Sequence, residues 1–146
     1  MSNHAQLNLD LLAAQHAQAI IHRIVDQVKT QKDKEPEKKK IKEQLSRDVD
    51  NTVTKALGVL QENGVYACFL YLLAKEKENG SVVVDEMLNL LDGLGFGWDK
   101  PADKSAEKVL GHISKKVTVD LERLLLAKET LEQMLTYARY GAKAHS

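Results

Sequence analysis

With 146 residues, 16.3 kDa and a 43% hydrophobic fraction, the chain has the size of one domain and is too apolar to be disordered throughout. Two Pro and eight Gly against 29% charged residues disfavour an all-β sandwich, which needs many turns, and favour long helices. The formal net charge of zero excludes a uniformly basic or acidic chain, yet it hides two blocks: residues 29–47 hold eight Lys or Arg against four acids, and residues 79–107 hold two Lys against six acids.

In chain order, Leu9, Leu12, His16, Ile20, Ile24 and Val28 recur every three or four residues and predict one amphipathic helix over about 4–31. Lys32 to Lys40, uniformly charged and carrying Pro36, is expected to be a hinge. A second helix follows, with Ile41, Leu45, Val49, Val53, Ala56 or Leu57, and Leu60 on one face. It stops at Asn63-Gly64, a good C-terminal cap pair.

Val65 to Lys77 is apolar on nearly every side and is expected to be the central helix, ended by Asn79-Gly80. Ser81 can cap a fourth helix bearing Val84, Met87, Leu88 and Leu91, which breaks up in a flexible glycine-rich loop over 93–101. A fifth helix spans Ala102 to Val117 on Val109, Leu110 and Ile113. Thr118 is the expected N-cap of the last, Val119 to Ala144, with Leu121, Leu124, Leu125, Leu131, Leu135, Ala138 and Ala142 as its apolar positions. The fold class is therefore all-α, a single-domain bundle of about six helices over 1–146.

The longest apolar run, Val65 to Ala74, is ten residues, about half of a membrane span. A single Cys and the absence of an export signal in Met1 to Asp10 predict a cytoplasmic protein.

No catalytic constellation emerges. CxxC, HxxxH, HExxH and paired Glu-x-x-His motifs are all missing, so no metal or cofactor is expected, and His4, His16, His22, His112 and His145 read as surface or half-buried histidines. Cys68, within the apolar run and far in sequence from any histidine, reads as core. Gly93, Gly95 and Gly97 lack the preceding strand and the lysine of a phosphate loop. Acid pairs such as Asp85 with Glu86, and Glu122 with Glu129, read as solvated helix faces.

The strongest positive feature is basic. Lys38, Lys39, Lys40, Lys42 and Arg47 cluster near a helix start, diluted by Glu35, Glu37 and Glu43; they can neutralise phosphates without reading bases, or form an ordinary charged face. Lys115 with Lys116 poses the same choice. At the C-terminus, Arg139 and Lys143 form a basic last stretch, beside Tyr137 and Tyr140, which can stack on bases or pack.

Two stretches resemble a known family. LGVLQENGVYACFLYLLAKEK, Leu57 to Lys77, resembles the helix, Asn-Gly corner and apolar helix of the small α-helical subunit of the type III-B CRISPR effector, the Cmr complex. LLLAKETLEQMLTYARYGAKA, Leu124 to Ala144, is similar to its closing helix, with Glu129, Leu131, Tyr137, Arg139, Tyr140 and Ala144 echoing that pattern. The likeness covers roughly residues 49–144.

The resemblance implies a non-catalytic subunit that stacks head to tail with copies of itself along guide RNA and target RNA, beside other CRISPR effector subunits, in antiviral defence. Lys38, Lys39, Lys40, Lys42, Arg47, Arg139 and Lys143 are then the expected RNA-binding residues. Two other readings stay open: a helical adaptor that binds protein alone through an apolar groove, and an enzyme whose site is completed by a partner chain.

Overall fold

The computed structural model describes residues 8–26, 35–76 and 78–145. They form six α-helices: α1 (Leu9–Ile21), α2 (Glu35–Asn63), α3 (Val65–Lys75), α4 (Glu78–Gly93), α5 (Ala106–His112) and α6 (Leu121–Ala144). Single π-helical turns extend α1 through His22–Asp26 and α5 through Ile113–Val117. Among the described residues there is no strand, and no helix is long and apolar enough to cross a membrane.

Five helices close into a ring. Helix α6 packs most extensively, between α1 and α2; α2 meets α3, α3 meets α4, and α4 returns to α1, while α5 packs on α3 from outside the ring. Phe69, Leu60, Leu72, Met87, Leu90, Leu91, Leu131, Met134 and Leu135 fill the centre, fully buried. Burial of each such side chain contributes about 1.5–3 kcal/mol.

Helix α1 starts where Asn8 accepts a hydrogen bond from the Leu11 amide at 3.0 Å. Its buried face is Ala13, Ala17, Ile20 and Ile21, continued by Ile24 and Val25, so it is rotated from the Leu9–Leu12–His16 stripe, whose members sit at the edge. Small residues let α6 come close: a Cβ on Gly141 would lie 3.4 Å from Ile21 Cγ1. Val28, His4 and residues 32–34 of the expected hinge lie outside the described residues. The rest of that stretch, 35–40, is the first part of α2, with Pro36 near the helix start where its missing N–H costs nothing.

The α2–α3 corner falls where the Asn-Gly pair placed it. Gly64 holds φ +96°, its amide donates to the Leu60 carbonyl at 3.0 Å, and its own carbonyl accepts from the Cys68 amide at 3.1 Å to open α3. Helix α3 is not the central element, however. Val65, Cys68, Phe69 and Leu72 face inward, whereas Tyr66 and Leu70 lie on the outside of the ring, 40% and 46% exposed.

Asn79-Gly80 does not end a helix; it lies in the first turn of α4, ahead of the expected Ser81 cap. A Cβ on Gly80 would meet the Glu76 Cβ at 2.6 Å and the Leu72 carbonyl oxygen at 2.9 Å, so this glycine permits close approach of α4 to the end of α3. The loop after α4 is anchored. Leu94 and Trp98 are buried, Phe96 stands edge-on to Trp98 at 4.9 Å, and Gly95 and Gly97 supply positive φ between them. Ser105 caps α5 four residues later than expected. Asp120 caps α6, because the Thr118 hydroxyl donates instead to the Ser114 carbonyl at 2.8 Å.

Candidate nucleic-acid interface

The basic residues of α2 precede its buried face, which begins at Ser46 and Val49. Consecutive helical residues diverge by about 100°, so Lys38, Lys39, Lys40 and Lys42 surround the helix rather than line one stripe. Lys39, Lys40 and Arg47 are exposed; Lys38 and Lys42 are half-buried. Lys40 and Arg47, two turns apart, share a side. Arg47 Nη2 donates to Gln44 Oε1 at 2.9 Å, and Gln44 Nε2 donates to Asp48 Oδ1 at 2.9 Å, so its guanidinium is steered along the helix. Glu37 is exposed and Glu43 half-buried, which weakens the field of the lysines.

Helix α6 brings the second basic group to α2. Arg139 Nε lies 3.7 Å from Asp50 Oδ1, an oxygen that also accepts from the Thr54 hydroxyl at 3.0 Å. Part of the Arg139 charge is thus engaged within the protein. Lys143, one turn further along the same side, is exposed, and its ammonium stands 5.9 Å from the centre of the Tyr140 ring. Tyr140 is 61% exposed, in position to stack. Tyr137 packs: its hydroxyl donates to Asp10 and accepts from Gln133 Nε2 at 2.7 Å, fastening α6 to α1. The Asp10 carboxylate, which holds the phenol proton, raises the Tyr137 pKa above its ordinary value.

A charged cluster between α1 and α4 escaped the sequence reading, which placed Asp85 and Glu86 on a solvated face. Glu86 is 5% exposed. His16 Nδ1 lies 2.9 Å from its Oε1, and Arg23 Nη1 donates to Glu86 Oε2 at 2.7 Å and to Asp85 Oδ2 at 2.6 Å. Lys104, from the loop before α5, pairs with the other Asp85 oxygen. Burial pushes the Glu86 carboxyl up, but hydrogen bonds from His16, Arg23 and Asn89, together with the Arg23 charge, hold it below the ordinary carboxylate value. The signal was in the spacing. Glu86 falls among Val83, Val84, Met87 and Leu90 on the face that must be buried, and His16 and Arg23 are two turns apart on α1.

An open groove of about 890 Å³ runs between α1 and α6, lined by Ala14, Ala17 and Gly141, by Asp10 and Tyr137, and by His22, Asp26 and His145. His145 Nε2 lies 3.7 Å from Asp26 Oδ1. Among the described residues no group of three His, Cys, Asp or Glu side chains is arranged to hold a metal ion. Cys68 is buried, donates to the Ala56 carbonyl at 3.4 Å, and has its thiol pushed up to about 12 by burial, the opposite of an activated nucleophile.

Compared with models of known families, with curated proteins and with solved structures, the chain matches none of them.

Proposed function

We propose that the chain is a cytoplasmic, non-catalytic small subunit of a type III-B CRISPR effector complex, stacking head to tail as a scaffold along guide and target RNA in antiviral defence. The observation that carries this reading is the pairing of α2 with α6. The Asp50–Arg139 contact sets the helix bearing Lys38, Lys39, Lys40, Lys42 and Arg47 against the helix bearing Tyr140 and Lys143. Together the two helices offer lysines and Arg47 for phosphate neutralisation and the exposed Tyr140 ring as an aromatic face. The sharp corner at Gly64 and the unbroken closing helix to Ala144 agree with the two segments on which the family resemblance rests.

A basic surface diluted by Glu37, Glu43 and Asp50 binds weakly alone, so useful affinity arises when several copies line one strand. The test is to tag the protein at Met1 in its native host, purify it gently and identify what accompanies it. Several larger CRISPR subunits with short, uniform guide RNAs support the proposal; an unrelated protein partner without RNA overturns it.

A second reading, a helical adaptor that binds protein alone, draws on the α1–α6 groove and on exposed Val119, Leu121 and Leu125 at the start of α6.

A further inference from the structure

Lys108, His112, Lys115 and Lys116 are spaced by four, three and one residues, which on α5 and its π turn gathers them on one side. The loop brings Lys100 toward the same side. These five residues, with Glu107, line an open depression of about 440 Å³. Lys104 is held by Asp85, Arg123 by Asp120 and Arg139 by Asp50, but Lys100, Lys108, Lys115 and Lys116 enter no ion pair among the described residues. Four ammonium groups thus stand around one concavity, with Glu107 in its lining and the Asp99 and Asp103 carboxylates acting on His112 and Lys108 from its edge.

His112 adds a directional group. Its ring is tied to the backbone of Asp99, and its Nε2 is shielded from solvent without a hydrogen-bond partner. A buried polar atom in that state is costly, and few are tolerated. A phosphate oxygen in the depression reaches Nε2 once the ring turns toward it: an imidazolium N–H then donates to the oxygen, or a neutral ring accepts from a P–O–H. The lysines act as point charges toward the same group. The four ammonium groups outnumber Glu107, Asp99 and Asp103, and a phosphate, whose charge reaches about −2, gains more from them than a carboxylate does.

We propose that this depression binds a phosphate group, as carried by a nucleic-acid backbone or by a small phosphorylated molecule. The site stands apart from the α2–α6 surface and does not depend on the RNA reading of that surface.

The test follows the His112 ring nitrogens of the full-length protein by NMR during titration with sodium pyrophosphate at low ionic strength. Expected is a saturable shift at Nε2. The variant Lys115→Glu/Lys116→Glu should then weaken binding about tenfold or more, while Lys39→Glu/Lys40→Glu changes it by less than about twofold. If the charge reversal unfolds the protein, Lys115→Gln/Lys116→Gln takes its place, with a smaller loss expected. A linear, unsaturable response at His112, or equal losses in the α2 and α5 variants, overturns the proposal. A short single-stranded RNA with 5′-hydroxyl ends, added to the pyrophosphate-bound protein, separates the sources. Displacement of pyrophosphate supports a backbone phosphate as the ligand, and its retention supports a small phosphorylated molecule.

Discussion

His16 and Glu86, 70 residues apart in the chain, meet with Nδ1 2.9 Å from Oε1 in a partly buried contact that joins α1 to α4. The same carboxylate takes Arg23 on its other oxygen, so two side chains depend on one buried group. Glu86→Ala should destabilise the fold by about 1–3 kcal/mol, since it leaves His16 and Arg23 without their acceptor while Arg23, 39% exposed, recovers part of the loss from water. Asp85→Ala, on the more exposed carboxylate, should cost less than about 1 kcal/mol. Urea unfolding of the two variants checks the order.

The same contact sets an acid limit. The folded-state pKa of Glu86 lies below its ordinary value of 4.5, so its contribution is fully present above that value and is lost as pH falls through the folded-state value. Glu86→Gln cannot titrate there. Thermal melts from about pH 7 to about pH 3 should show a shallower acid decline in Glu86→Gln than in the parent; identical slopes would remove Glu86 from the acid response.

Much of this architecture is legible in the sequence because it rests on apolar spacing and one backbone requirement. The six helices follow from period, and the corner at Gly64 follows from the need for positive φ. What the sequence misassigned involves residues whose role depends on a neighbour. Asn79-Gly80 has the composition of a helix stop, but the contact that requires Gly80 comes from Leu72 and Glu76, one helix earlier. Glu86 has the composition of a solvated residue, and its partners arrive from α1. The basic residues of α2 were visible as a run, but their wrapping around the helix and the engagement of Arg139 by Asp50 required the packed structure.

Two glycines inside helices should therefore respond with opposite sign. Gly58 has nothing within 4 Å of where its Cβ would lie, so Gly58→Ala should stabilise by about 0.5–1 kcal/mol through backbone entropy. Gly80→Ala places a Cβ 2.6 Å from the Glu76 Cβ and should destabilise by about 1–3 kcal/mol by forcing α3 and α4 apart. Denaturant midpoints of both variants measure the difference.

Helix α6 divides into a structural and an associative face, and salt separates what the second one does. Leu131 is fully buried between α1 and α2, so Leu131→Ala should cost about 2–5 kcal/mol in any reading. Leu121 and Leu125, 67% and 55% exposed on one side of the first turns, should cost under about 0.5 kcal/mol each when changed to Ser. If partner binding runs through the basic α2–α6 surface, Lys38→Glu/Lys39→Glu/Lys40→Glu/Lys42→Glu should abolish loading on RNA with helicity intact, and the parent should lose affinity steeply with added salt. Leu121→Ser/Leu125→Ser should then leave RNA loading unchanged. If the chain is instead an adaptor, the serine variant loses its protein partner, the lysine variant keeps it, and added sulfate strengthens the association, because apolar contact grows as salt is excluded from the surface. Sedimentation of both variants with RNA and with the co-purified partner, each across a salt series, decides between the two surfaces.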